Sequence, residues 1–147
     1  MERILGAFAQ HTYAILRIVS GFLFMCHGMQ KLFNFPAAQG APPPDGISPL
    51  MAVAGGIELV GGFLIMIGLF AGFAAFVSSG LMAFAYFMAH FSIQAFLPIQ
   101  NKGELAVIYC FLFLYIASVG SGAWSVDSLI NQAKKTVKPN EKRQQNS

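Results

Sequence analysis

With 147 residues, 56% of them hydrophobic and only 10% charged, the chain has a mean hydropathy of +0.61. A soluble domain carries about a quarter charged residues. Too little polar surface is left here to coat a water-soluble globule, which excludes most soluble enzyme classes and reads as an integral membrane protein. The net charge of +3 does not point to nucleic acid. Lys134, Lys135, Lys138, Lys142 and Arg143 are five of the nine basic residues and sit in the last fourteen positions, where a basic tail is a topology signal.

Four apolar runs approach the roughly 20 residues of helix that cross a bilayer: about 12–33, 50–70, 73–91 and 103–119. They are continuous, contain no Pro and do not alternate, so helices fit and barrel strands do not. The first run starts too late and is too long for a cleaved signal peptide. A Pro-rich loop follows it (Pro36, then Pro42, Pro43 and Pro44). The segment Phe70-Ala71-Gly72-Phe73 allows only a tight turn between the second and third runs, and Pro98 breaks the last connection. The expected fold is an all-α integral membrane four-helix antiparallel bundle over residues 1–130. An even number of spans puts both termini on one side. Arg3, Arg17 and the basic tail outweigh Lys31 and Lys102 on the other side, so both termini are expected in the cytoplasm. Residues 131–147 are polar and read as a disordered tail. Cys26 and Cys110 show no CxxC pairing and read as small packing residues.

Ionisable groups in a span cost about 2.5–3.5 kcal/mol each at mid-helix. Arg17 and His27 lie in the first run, Glu58 in the second, His90 in the third and Glu104 in the fourth. With alternating helix direction, His27, Glu58, His90 and Glu104 converge on the outer side, one from each helix. On the first helix Arg17, Gly21, Phe24, His27 and Lys31 recur at three- and four-residue steps. On the second, Gly55, Glu58 and Gly62 share a face whose small residues permit close helix approach. On the fourth, Glu104, Ile108, Phe111 and Tyr115 share a face. Bland readings stand beside this one. His90, Glu104 and Lys102 can sit at the water interface, Lys31 and Arg17 can snorkel, and Glu58 with His27 can be a buried structural pair. Glu58 lies about 12 Å into its helix and needs a partner there, His27 being the expected one.

The cluster lacks the Glu-x-x-His spacing of bundle di-iron sites, and two His at different depths suit a haem poorly, so neither metal nor haem is expected. A quinone fits the residue types: an amphipathic ring with two carbonyls, taking protons from Glu58, His27, His90 and Glu104 beside Phe24, Tyr86, Phe111 and Arg17.

These positions resemble the DoxX family of small four-helix membrane proteins. The resemblance rests on the stretch from Arg17 to Phe24, His27-Gly28-Met29-Gln30-Lys31-Leu32-Phe33, Gly56-Ile57-Glu58-Leu59-Val60-Gly61-Gly62, Met82-Ala83-Phe84-Ala85-Tyr86-Phe87 with His90, Asn101-Lys102-Gly103-Glu104, and Gly120-Ser121-Gly122-Ala123-Trp124-Ser125-Val126-Asp127. It implies a multi-pass protein of the bacterial inner membrane. Some relatives of this kind serve as membrane subunits of quinone-linked oxidoreductases with thiol- or sulfur-handling partners. Because the sequence carries no obvious redox centre, electrons are expected from such a soluble or membrane oxidoreductase partner. The other expectation is a non-catalytic membrane scaffold or assembly factor. Besides membrane lipid and that partner, the Gly and Ala ridges are compatible with a monomer or a homo-oligomer.

Overall fold

The computed structural model describes residues 6–37 and 46–144, with side chains to residue 135. Arg3 and the run of Pro42, Pro43 and Pro44 lie outside the described residues. Among the described residues there are six α-helices: α1 Ala9–Phe33, α2 Pro49–Ile67, α3 Ala71–Ala85, the short α4 Pro98–Asn101, α5 Glu104–Val119 and α6 Val126–Gln144. Among the described residues there is no strand, only an isolated bridge between Ser92 and Ala95.

Three stretches are long and apolar enough to cross a membrane: Ala9–Phe33, Pro49–Ile67 and Ala71–His90. The helix Glu104–Val119, 16 residues long, is equally apolar but shorter. The outward faces carry the composition of lipid-facing helices, with Val19, Phe22, Phe63, Phe73, Phe76 and Phe111 all exposed. An apolar surface that continuous has no place in water. The chain is a membrane protein.

Inside, α1 packs on α2, α2 on α3 and α3 on α5. Phe24 of α1 closes the ring by meeting Phe113 of α5 edge to face at 4.7 Å. Ile65, Ala74, Ala75, Met82, Phe113 and Ile116 fill the centre with it. The α1–α2 crossing is close. A Cβ at Gly21 would lie 2.8 Å from the Gly62 carbonyl oxygen, and one at Gly28 would lie 2.7 Å from that of Gly55. Glycines seven residues apart on each helix thus touch backbone to backbone, which draws the polar face of α1 onto Glu58.

The turn between α2 and α3 sits at Gly68–Phe70, two residues before the expected position. Gly68 supplies the left-handed conformation (φ 71°) that ends α2, and the Leu69 N–H donates to the Leu64 carbonyl at 3.0 Å. A glycine takes that conformation without a Cβ penalty. At the far end α3 widens into a π turn over Tyr86–His90, closed by the Phe91 N–H donating to the Tyr86 carbonyl.

Arg17 does not snorkel. It is 0% exposed, and its two terminal nitrogens donate to the carbonyls of Ile65 and Met66 on α2 and of Ala123 and Trp124 before α6. A helix leaves its last carbonyls unpaired, and a planar guanidinium can reach two sets of them at once. Residues from Asn131 onward, expected as a disordered tail, continue α6 to Gln144. Ser125, 3% exposed, accepts from the Ser128 N–H at its start. Asp127 accepts from the Phe70 N–H at 2.9 Å and from the Ser121 hydroxyl. This anchored cap gives the Gln-, Ala- and Lys-rich run a nucleus from which to extend.

Candidate functional site

At the end of the bundle opposite Arg17, the helices leave a cavity of about 270 Å³. Three- and four-residue steps along α1 bring Phe24, His27 and Lys31 to one wall. Glu58 comes from α2, Met82 and Ala85 from α3, and His90 from the π turn. Lys102, Ala106 and Tyr109 complete the lining from the start of α5 and the residue pair before it. The convergence expected of His27, Glu58 and His90 is therefore present in the structure.

Glu58 is buried, 2% exposed. One carboxylate oxygen pairs with the Lys31 ammonium across the α1–α2 crossing. The expected partner was His27. Lys31 lies one helical turn farther along the same face, and its long stem lets a full positive charge reach the carboxylate, so it turns inward where it was expected to snorkel. The second oxygen, Oε2, is buried with no hydrogen-bond partner. An orphan carboxylate oxygen in a protein interior is costly and calls for a proton or a ligand. His27 instead meets Tyr109 edge to face, ring centres 6.2 Å apart.

The wall beside these groups is aromatic. Phe24 lies 5.5 Å from Tyr109, and Tyr109 stacks on Phe113 at 5.2 Å. His90 sits at the rim, its Nδ1 3.1 Å from the Asn101 carbonyl oxygen. The loop that carries Asn101 is held tightly. Asn101 Nδ2 donates to the Ala95 carbonyl at 2.9 Å and to the Tyr86 hydroxyl at 3.3 Å, while the Gly103 N–H donates to Asn101 Oδ1 at 2.9 Å.

Four expected site residues are placed elsewhere. Glu104 is exposed at the first position of α5 and does not line the cavity; there its charge faces the positive end of the helix dipole. Tyr86 is buried beneath the rim, donating to the Phe96 carbonyl at 2.8 Å, so it supports the loop and does not form the wall. Phe111 is 66% exposed and looks outward with Phe76, Leu114 and Tyr115. Arg17 is the carbonyl clamp described above, about 15 Å along α1 from His27. Conversely, Lys31, Tyr109 and Asn101 are central and were not singled out as site residues. The signal for Tyr109 lay in the i, i+3, i+7, i+10 series Ala106, Tyr109, Phe113, Ile116, all buried; the series starting from Glu104 is the outward one.

The family model for DoxX matches residues 12–91, a stretch that includes His27, Lys31, Glu58 and His90. An uncharacterised protein of Haemophilus influenzae is 40% identical over 126 residues, covering 84% of this chain and 94% of that protein. A Bacillus subtilis protein named "Putative oxidoreductase CatD" is 25% identical over 122 residues, covering 82% of this chain and 88% of its own length. No solved structure matches the chain.

Proposed function

The chain belongs to the DoxX family, and from that membership and the cavity we propose that it is the membrane subunit of a quinone-linked redox complex. It would cross the bacterial inner membrane four times, α5 being the fourth span, with both termini in the cytoplasm and the cavity toward the outer leaflet. The observation that carries the reading is Glu58 Oε2, a buried, unpartnered acceptor beside an aromatic wall. The cavity of about 270 Å³ is just under the usual range for small-ligand pockets, enough for a single ring whose isoprenoid tail stays in lipid. The name of the Bacillus subtilis relative leans the same way.

When bound, a quinone supplies a two-electron, two-proton couple, with electrons arriving from a partner protein that handles thiols or reduced sulfur. The residues of this chain bind the ring and manage its protons. Phe24 and Tyr109 hold its faces. Glu58 accepts from a hydroxyl of the reduced ring, His27 hydrogen-bonds its edge, Lys31 keeps the Glu58 charge tolerable inside the bundle, and His90 passes protons to the rim.

Anaerobic equilibrium binding of a short-tailed quinol, the reduced form with hydroxyl donors, to the purified protein tests this, beside Glu58→Gln. The variant removes a charged acceptor and keeps its shape, so affinity should fall at least about ten-fold with the thermal unfolding midpoint little changed. Equal binding by both proteins, or none by the wild type, would sink the reading. The scaffold alternative has its own support in the Lys31–Glu58 pair, which satisfies half of the carboxylate within the bundle. It would be favoured if Glu58→Gln unfolded the protein and the wild type retained no quinone.

A further inference from the structure

We propose that α6 is an interfacial helix, lying on the anionic headgroups of the membrane that the bundle itself spans, with its apolar stripe turned into the lipid. It belongs to the end of the molecule away from the cavity and does not depend on the quinone reading.

Depth is set by the bundle. α2 has 19 residues, about 28 Å of helix, close to the roughly 30 Å of a hydrocarbon core. The turn at Gly68–Phe70 joins two stretches long and apolar enough to cross, Pro49–Ile67 and Ala71–His90, so it lies where lipid meets water. α6 is fastened to that turn. The Asp127 N–H donates to the Gly68 carbonyl at 3.2 Å, and the Asp127 carboxylate accepts from the Phe70 N–H at 2.9 Å. Just before α6, Arg17 holds the carbonyls of Ala123 and Trp124 against the end of α2. The helix therefore starts at headgroup level. Trp124 is 59% exposed there, its ring 5.1 Å from that of His11 at the start of α1, and tryptophan is enriched at such interfaces.

The sequence of α6 matches the place. Val126, Leu129, Ile130, Ala133 and Val137 recur at three- and four-residue steps, in a stripe roughly 100° wide. Leu129, Ile130 and Ala133 are exposed. Ile130 borders a cleft that also opens beside Phe70, itself exposed at the tip of the α2–α3 hairpin. The edge of the stripe thus adjoins the lipid-facing surface of the bundle. Beyond that edge the helix is basic. Lys134 flanks the stripe, Lys138 follows about one turn later in register, and Lys135 lies farther round. Asp127, the one acidic residue between Val126 and Lys138, is held by Phe70 and Ser121. An apolar stripe flanked by lysines is the pattern of a helix in the plane of the interface, and its charge complements lipid phosphates.

The test uses the full chain with Cys26→Ala and Cys110→Ala, reconstituted in nanodiscs, with a nitroxide placed in turn at exposed positions of α6. In discs of phosphatidylcholine and phosphatidylglycerol, labels at Leu129, Ile130 and Ala133 should favour oxygen, which concentrates in lipid, over a water-soluble nickel chelate. Labels at Asn131 and Lys135 should show the reverse. The contrast should shrink in phosphatidylcholine alone, and in anionic discs with Lys134→Gln and Lys138→Gln. All five positions open to the chelate in anionic discs would overturn the proposal and leave the stripe for a protein partner. A contrast indifferent to both phosphatidylglycerol and the lysines would overturn it as well. A second measurement needs no substitution, because Trp124 is the sole tryptophan. Its fluorescence should be quenched more by lipids brominated near the headgroup than by lipids brominated near the acyl-chain end. Quenching in the opposite order, or by neither lipid, contradicts the interfacial depth.

Discussion

A single buried arginine holds the end of the bundle away from the cavity. Arg17 joins the last turn of α2 to the segment before α6 through four carbonyl oxygens at 2.6 to 3.2 Å. Hydrogen bonds to a charged donor are each worth about 1.5–3 kcal/mol net, and a buried acceptor left without its donor costs a further share. Truncation at Arg17→Ala should therefore lower unfolding stability by about 3 kcal/mol or more, read by denaturant titration in detergent. Arg17→Lys should recover only part of this, because one ammonium cannot span both carbonyl pairs. Quinone affinity should change little in the folded fraction; a large loss there would place Arg17 in the binding machinery. The sequence made Arg17 conspicuous as a charge in an apolar run but not its partners, because backbone carbonyls carry no sequence signature. The same holds for Asn101, whose role rests on the main chain of residues it touches. Lys31 was legible as a member of the polar face of α1, yet which of two cations or imidazoles reaches Glu58 depends on the crossing of two helices.

That crossing is the element-scale feature on which the site depends. A Cβ at Gly62 would lie 2.5 Å from the Met25 nitrogen, and one at Gly21 would lie 2.6 Å from that of Met66. Both neighbours are backbone atoms, so no side chain can swing aside and the helices must separate. Overpacking of this kind costs roughly 1–3 kcal/mol. Gly21→Ala and Gly62→Ala should each cost that much, and the double variant less than the sum, since one separation relieves both clashes. Gly56→Ala, with nothing within 4 Å of its Cβ, is the neutral control. If Gly62→Ala proves as silent as Gly56→Ala in the same titration, the close approach is wrong. This contact was largely readable in advance from Gly55 and Gly62 flanking Glu58. The face of α5 was not. Glu104 served as its inward marker, whereas a charge at a helix's first position can face water, so Phe111 was assigned inward in place of Tyr109. The π turn left no periodicity to detect, being five residues long.

Over the whole molecule, charge and polarity are segregated between two ends. The cavity end holds Lys31, neutralised by Glu58, and Lys102; the other holds the exposed Lys134 and Lys135 of α6, with further basic residues beyond them in sequence. Arg17, fully buried on carbonyls, no longer counts toward the surface balance, yet the difference still favours the α6 end in the cytoplasm under the positive-inside bias. The proposed orientation has a direct consequence for access. With Cys26 and Cys110 replaced by Ala, a cysteine at the exposed position Gln94, near the cavity rim, should react in intact bacterial cells with a membrane-impermeant maleimide. One at Asn131, exposed on α6, should react only after the cells are opened. The reverse pattern would turn the cavity toward the cytoplasm, so that protons released by a reduced ring would leave on that side. Labelling of both positions in intact cells would rule out the shorter-than-usual α5 as a span, because without that crossing no span separates Gln94 from Asn131. The 16 residues of α5 cover about 24 Å, short of a hydrocarbon core of about 30 Å. The bilayer would thin locally around it, at a fraction of a kcal/mol per Å.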